Sequence, residues 1–388
     1  MVAALETPLA AALAERPLRL LVATARYLPY MGGVETHVYE VCRRLAQNDV
    51  EVTVLTTDPS GRLPVEEEAD GVRVRRVGAW PAQRDYYFAP GVYGAIRRGG
   101  WDLVHVQGCH TLVAPLAMLA AWRAGIPYVV TFHTGGHSSR LRHALRGAQW
   151  TALGPLLRRA DRLIGVSYFE AELFRHRLHL PAARLTIVQN GAELPEPGPE
   201  PPVVAGAGPL IVSIGRVERY KGHHRVLQAL PALRERVPGA RLLILGSGPY
   251  EQELRKLALR LRVADAVEIA SIPPAERARL AATLRRANLV TLLSEYEAHP
   301  VAVMEALALR RPVLVADTTG LHELAERGLA CAVPLHSTPA ALAEAMAQQL
   351  DRPSGATVSL ADLPTWDGCA RRLLALYHDV LEEQPCAF

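Results

Sequence analysis

Among 43 basic residues the chain has lysine at two positions only, Lys221 and Lys256. Lys221 falls in "SIGRVERYKGHHRVL" (213–227), a glycine-flanked turn between a β-like run and a helix-like run. Arginine presents a wide planar fork, whereas lysine is a compact point charge, so a narrow anion pocket selects lysine. Arg216, from the same turn, supplies a second fixed cation beside Gly215. Two such cations aimed at a departing nucleoside diphosphate could do the work of a metal ion. The bland alternative, a solvated surface lysine, fits Lys256 in "EQELRKLALRL", on the polar face of a helical pattern.

Three further stretches carry residue types that handle anions or hydroxyls. "YMGGVETHV" places Gly32 and Gly33 where a helix opens after a strand, and free N–H groups there suit an anionic ligand. A plain βα turn is the alternative. The absence of GxGxxG disfavours a nicotinamide cofactor. "LILGSGPYEQEL" sets Gly246 and Gly248 after a strand, a second backbone approach to a ligand, at its base or ribose. "SEYEAHPVAVMEALALRRPVLVAD" spaces Glu297 and Glu305 eight residues apart. Pro300 favours a first helical position, which leaves Glu297 in the preceding loop and Glu305 in the second helical turn. One carboxylate would hold sugar hydroxyls and the other a ribose diol; surface carboxylates beside a helix cap are the alternative.

These residues need strands that end together. Strand-length apolar runs alternate with amphipathic helical patterns almost throughout, which predicts parallel βαβ units. The runs are "RLLVATA", "VEVTVLTT", "VRVRRVG", "LVHVQG", "YVVTFHT", "RLIGVS" and "LTIVQN", then "LIVSIGR", "RLLILGSG", "VEIASIP", "LVTLLS", "PVLVAD" and "LACAVPL". Pro and Gly crowd "LPEPGPEPPVVAGAGP" between the two sets, as in a semi-rigid linker. The expected organisation is a first domain over 1–194, a linker over 195–209, a second domain over 210–365, and a helix over 366–388 that crosses back to the first domain. Two doubly wound sheets would face a deep cleft, where ligands of open α/β sheets bind.

Length and composition set the remaining bounds. A chain of 388 residues supports two cores, and 49% hydrophobic with 21% charged residues is ordinary for a globular protein. Cys42, Cys109, Cys331, Cys369 and Cys386 show no CxxC spacing, which points to a reduced, cytoplasmic chain. A net charge of +4 without a basic tract argues against nucleic acid. The N-terminal stretch lacks a basic n-region and is interrupted by Glu6, Glu15 and Arg16, so it reads as no signal peptide. The longest apolar run is too short to span a membrane. The Arg-rich amphipathic segment 138–162 has two readings: a solvated helix face, or a peripheral contact with the inner face of a membrane or a lipid-linked acceptor. His133 and His137 flank two glycines after a strand, which disfavours a helical metal pair, and "GCH" at 108–110 is either a loop or part of an acceptor wall.

Taken in order, GG near the N-terminus, "FHT", "GRVERYKG", "GSGP" and Glu-x7-Glu followed by "EALAL" resemble the retaining nucleotide-sugar glycosyltransferases of family 4, over about residues 18 to 385. The resemblance implies a GT-B fold of two Rossmann-like domains. It also implies transfer of a sugar, with UDP the commonest carrier, to a hydroxyl of a glycan, lipid-linked or small-molecule acceptor. The anomeric configuration would be kept, and no cofactor or obligatory metal used. Carried over, Gly33 would touch the diphosphate or sugar, Arg216 and Lys221 would stabilise the leaving group, Glu305 would bind the ribose, Glu297 the donor sugar, and His133 would lie near that sugar. The family's usual Gly-Phe-Gly after the first glutamate is Ala298-His299-Pro300 here. Proline removes one backbone donor, and His299 could replace it with an imidazole. A catalytically silent sugar-nucleotide-binding protein is the competing reading. A pyridoxal phosphorylase of the same fold would need a buried Schiff-base lysine, which Lys221 in a phosphate turn serves poorly.

Overall fold

A computed structural model of the chain describes residues 16–383 except 31, 82–86, 135–139, 195, 197–207, 274 and 354–358. The N-terminal stretch up to residue 15, most of the expected linker, His137 and Cys386 lie outside the described residues. The described residues form two compact units. One is built from 16–134, 144–190 and 366–383, and the other from 191–365 together with 140–143.

The first unit carries an eight-stranded sheet, β1 (Leu18–Thr24), β2 (Val50–Asp58), β3 (Glu66–Ala69), β4 (Val72–Gly78), β5 (Leu103–Gln107), β6 (Tyr128–Thr131), β7 (Arg162–Gly165) and β8 (Leu185–Ile187), in the order β3-β4-β2-β1-β5-β6-β7-β8. Its helices are α1 (Gly33–Leu45), α2 (Gly91–Arg98), α3 (Val113–Ala124), α4 (Arg140–Leu157, from residue 144 onwards) and α5 (Tyr168–Leu178). Strands such as β1 are buried along almost their whole length, as expected of a parallel sheet covered on both faces. The one antiparallel strand among the described residues is β3, "EEEA", which pairs with β4 at the edge and is largely exposed. No apolar run announces it. It forms because Glu66 and Glu68 lie opposite Arg75 and Arg73, so opposite charges face each other across the pair. The same charges keep the edge from recruiting another strand.

The second unit carries six parallel strands, β9 (Leu210–Ile214), β10 (Arg241–Leu245), β11 (Val267–Ala270), β12 (Leu289–Leu292), β13 (Val313–Ala316) and β14 (Cys331–Val333), ordered β11-β10-β9-β12-β13-β14. Between them run α6 (His223–Arg236), α7 (Glu251–Arg260), α8 (Arg277–Arg286), α9 (Val301–Ala308), α10 (Thr319–Glu326) and α11 (Pro339–Asp351). Pro300 is the N-cap of α9, with φ −74° and ψ 110°, and not its first helical residue as the sequence suggested. Glu305 still falls in the second turn.

The last helix, α12 (Trp366–Glu382), returns to the first unit and packs on α1. Trp366, Cys369, Ala370, Leu373, Leu376, Tyr377, Val380 and Leu381 form its buried stripe, at the spacing of a one-faced helix. Each large side chain of that stripe is worth roughly 1.5–3 kcal/mol of burial. Arg44 binds Asp367 at the start of this helix, and Arg162 binds Glu383 just beyond its end.

Candidate active site

In the second sheet the strand order reverses between β9 and β12, which are neighbours although not consecutive. The carboxyl ends of such a pair are where open α/β sheets hold ligands. The chain leaves β9 through Gly215 (φ 139°) and makes a short 3-10 turn over Arg219–Lys221. It then enters α6 through Gly222 at φ 79°. A Cβ on Gly222 would stand 1.9 Å from the carbonyl oxygen of Leu293, so glycine is required where this turn meets the end of β12. The Glu295 N–H donates to Tyr220 O at 2.8 Å, and Arg225 Nη1 donates to Leu293 O at 3.0 Å. The two loops are thereby clamped, and Lys221 meets Glu297: Nζ lies 2.5 Å from Oε1, with side chains 14% and 9% exposed.

Glu297 is held from several sides. Ser294 Oγ donates to the same Oε1 at 2.6 Å. The Glu297 backbone N–H donates to Thr319 Oγ1 at 2.9 Å, and that hydroxyl donates to Glu297 O at 2.9 Å. The Gly320 N–H adds a bond to Glu297 O at 2.9 Å, and a Cβ on Gly320 would collide with Ala298 O at 1.8 Å. Sequence reasoning missed Ser294 and the "TTG" after β13. The signal was there, a hydroxyl pair and a glycine at a strand end. Burial alone would push the Lys221 ammonium down, but the adjoining Glu297 carboxylate outweighs it and holds the group above the ordinary lysine range.

Arg216 lies in the same turn but further out. Its side chain is 56% exposed, and it binds Glu218 at 2.7 Å and the Tyr220 hydroxyl at 2.7 Å. His223, missed from sequence, is fully buried beneath the turn, with Nδ1 2.7 Å from Ser213 Oγ and Nε2 3.1 Å from Arg216 O. Gly246 and Gly248 have an explanation the sequence did not suggest. Cβ atoms there would lie 2.0 Å from Gly215 O and 2.4 Å from Val217 O, at φ 155° and 159°. These glycines let the end of β10 pack against the Lys221 turn, whatever ligand binds nearby. His299 is buried directly before the α9 N-cap. Glu305 is also buried and is paired with Arg277 of α8, a partner that "PPAERARL" gave no reason to single out. Lys256 is an exposed surface residue 3.2 Å from Glu253, as read from sequence.

Gly32, Gly33 and His133 belong to the first unit. Gly32 is an extended N-cap, and a Cβ on Gly33 would meet nothing within 4 Å. The fold itself therefore makes no demand for glycine at 33. His133 follows β6 at φ 47°, a strained value for a non-glycine residue. Its ring is buried, with Nε2 2.7 Å from Gln107 Oε1 and its centroid 4.6 Å from that of His37. The next residue is pinned by Glu170, which accepts from the Thr134 N–H and hydroxyl, both at 2.6 Å. Burial, reinforced by His37, His105 and His110, pushes the His133 imidazole well below its usual pKa. The "GCH" stretch is a loop in which Gly108 takes φ 75° and Cys109 O accepts from Gln149 at 2.8 Å.

Residues 31–195 match the profile of Glycosyltransferase Family 4, and residues 200–358 that of Glycosyl transferases group 1. The chain is 32% identical over 329 residues to a D-inositol 3-phosphate glycosyltransferase of Nocardiopsis dassonvillei, covering 75% of each protein. The chain belongs to glycosyltransferase family 4. Among solved structures, this glycosyltransferase resembles the sucrose-phosphate synthase of Thermosynechococcus elongatus, with a TM-score of 0.76, 20% identity and coverage of 95% of this chain and 100% of the other. It also resembles Anabaena Alr3699/HepE in complex with UDP and glucose, with a TM-score of 0.73, 17% identity and coverage of 93% and 99%. The fold is therefore GT-B, with two parallel-sheet α/β domains. Among the described residues, no helix of this glycosyltransferase is long and apolar enough to cross a membrane. In α4, which covers most of segment 138–162, Trp150, Leu153 and Leu157 are buried in the core of the first unit. The apolar face of that half of the helix is used by the fold itself.

Proposed function

We propose that this glycosyltransferase transfers a hexose from a UDP-sugar to an acceptor hydroxyl with retention of anomeric configuration and without an obligatory metal. The observation that carries this reading is the Lys221–Glu297 contact at the switch point of the second sheet. Lysine has three N–H donors. One is taken by Glu297, and the other two can serve the phosphate oxygens of the leaving group. Oε1 of Glu297 accepts from both Lys221 and Ser294, so Oε2 is the oxygen to hold a donor-sugar hydroxyl. Arg216, exposed at the rim, supplies the second cation, and Glu305 receives the ribose diol. His299 compensates for the N–H that Pro300 lacks.

In the reaction the bond from the anomeric carbon to the diphosphate oxygen breaks, with its electron pair leaving on UDP. A bond to the acceptor oxygen forms on the same face, and the acceptor proton passes to the departing phosphate. Lys221 and Arg216 lower the barrier by meeting charge that grows as the bond lengthens. The Anabaena structure with UDP and glucose supports the choice of carrier. The relative named for D-inositol 3-phosphate makes a phosphorylated polyol the first acceptor to try, ahead of glycans and lipid-linked sugars. A peripheral membrane contact through 138–162 would rest on the arginines of that segment.

The test is a thermal-shift panel of UDP, GDP, ADP and dTDP with their common sugar conjugates. A ligand at a hundred times its Kd adds about 2.7 kcal/mol. Stabilisation by uridine conjugates alone, lost in Lys221→Ala, is the expected result. Stabilisation by another base moves the carrier. A flat panel counts against sugar-nucleotide binding altogether, and binding without turnover favours the catalytically silent reading.

A further inference from the structure

Four buried side chains of the first unit join in a hydrogen-bonded row that ends on His133. Tyr377 of α12 places its hydroxyl 2.7 Å from His105 Nδ1, and His105 Nε2 lies 2.7 Å from Thr131 Oγ1. The amide nitrogen of Gln107 is turned towards this imidazole, at 3.3 and 3.2 Å from its two nitrogens. The other end of the amide, Oε1, lies 2.7 Å from His133 Nε2. Tyr377 and His105 are entirely buried, Gln107 is 5% exposed and His133 8%. Gln107 and His105 alternate with apolar residues in "LVHVQG", a fully buried central strand, where aliphatic side chains are the rule. Polar groups are retained there at a cost that only a satisfied network offsets.

An amide oxygen can only accept a hydrogen bond. Its contact with Nε2 therefore fixes the proton of the neutral imidazole on Nε2 and leaves the lone pair on Nδ1. We infer that Gln107, backed by His105 and Tyr377, is a positioning residue that locks His133 in the Nε2–H tautomer, so that Nδ1 accepts a hydrogen bond from a substrate hydroxyl. This inference rests on the proposed sugar-transfer reading for the identity of that hydroxyl, but not for the tautomer. His37, in ring contact with His133, is the other histidine of the cluster. Its Nδ1 is 2.9 Å from Asn190 Oδ1, so it takes no part in fixing the proton of His133.

The experiment uses the full chain labelled with 15N-histidine, with His133 assigned by difference against His133→Asn. Its ring nitrogens are then observed in the wild type, Gln107→Met and Gln107→Glu. The expected wild-type pattern is the Nε2–H tautomer. Gln107→Met, which keeps volume but loses the acceptor, mixes the two tautomers. Its kcat falls by about tenfold or more, since the wrong tautomer presents an N–H where the substrate hydroxyl needs a lone pair, while the donor KM stays within about twofold, because the nucleotide pocket lies in the other unit. Gln107→Glu retains an acceptor and restores the Nε2–H pattern, which a merely structural role would not predict. A wild-type Nδ1–H pattern overturns the inference, as does a Gln107→Met protein with an unchanged tautomer and full kcat. If the tautomer behaves as expected but no sugar nucleotide supports transfer, it is the functional reading that fails.

Discussion

Lys221 Nζ and Glu297 Oε1 stand 2.5 Å apart although 76 residues separate them in the chain. The fold makes this contact through backbone fit, with Gly222 tucked under Leu293 O and the Glu295 N–H on Tyr220 O. A site built this way tolerates little change in the length or shape of its side chains.

The first prediction concerns lysine itself. Lys221 Nζ already lies 2.5 Å from Glu297 Oε1, which Ser294 Oγ also holds at 2.6 Å, so a longer, planar guanidinium fork cannot replace the compact ammonium without displacing Glu297. Lys221→Arg should lose most transfer activity. Lys221→Ala should abolish it and lower stability by about 3 kcal/mol, the scale for leaving one member of a buried ion pair alone. Circular dichroism and denaturant melts check the fold, and initial rates check the chemistry. Full activity in Lys221→Arg would refute this account of the turn.

The two carboxylates should separate in their effects. Glu305 sits with Arg277, and Glu297 with Lys221. Glu305→Ala should weaken nucleotide binding about tenfold or more, and Arg277→Ala should weaken it in the same sense by releasing Glu305. Glu297→Ala should chiefly slow turnover. Calorimetric titration of UDP and steady-state rates measure the two, and equal effects at both positions would undo the assignment.

Gly246→Ala and Gly248→Ala should act through packing. A methyl at either place meets a backbone carbonyl of the Gly215–Val217 segment, which cannot move without moving the Lys221 turn. Both variants should melt several degrees lower, because conformational strain adds to the clash, and both should bind nucleotide less well. A variant with unchanged melting and weakened binding would instead show direct ligand contact at the glycine.

Acid should unfold the first unit early. Burial pushes His37 down to about 4 and His105 down to about 3, and His133 well below its usual value. As pH drops below about 6.5 the unfolded chain binds protons that the folded unit refuses, so stability is lost from there down to the folded pKa values. Each group contributes up to about 1.4 kcal/mol per pH unit, and three together about 4. The chain has five tryptophans, all in the first unit, so tryptophan-monitored urea melts at pH 7, 5.5 and 4.5 isolate it. An unchanged midpoint between pH 7 and 5 would contradict this. The Lys221 contribution has the opposite sign. It is fully present below the ordinary lysine pKa and lost as pH rises through the raised one.

Much of this architecture was legible in the sequence. The parallel strands show in the sequence as short runs rich in Val, Ile and Leu, and thirteen such runs mark out the two sheets. The strand that escaped, β3, has no apolar residue except Ala69 and is held by charges on its neighbour, so a search for hydrophobic period passes over it. Lys221 stood out because the chain is so poor in lysine. Thr319, Gln107, Glu170 and Arg277 did not, because each acts on a partner distant in sequence, and Ser294, three residues from Glu297, has a residue type common in ordinary loops. Gly246 and Gly248 read from sequence as ligand glycines, and the structure adds a packing reason for them, a backbone carbonyl from another loop. Glycine marks a close approach without saying what approaches.

The return of α12 bears on how the chain is made. Trp366 and Tyr377, both fully buried, complete the unit whose strands all precede those of its neighbour, and Tyr377 supplies the hydroxyl that backs His105. During translation this unit waits, with a helix-sized apolar gap along α1, until the whole of its neighbour has left the ribosome. Of the two units, the one begun earlier is finished later. A nascent chain arrested before residue 366 should therefore expose that gap to chaperones and proteases while its second unit is already native, and a gene fragment ending at the apparent domain boundary should yield the same unfinished protein.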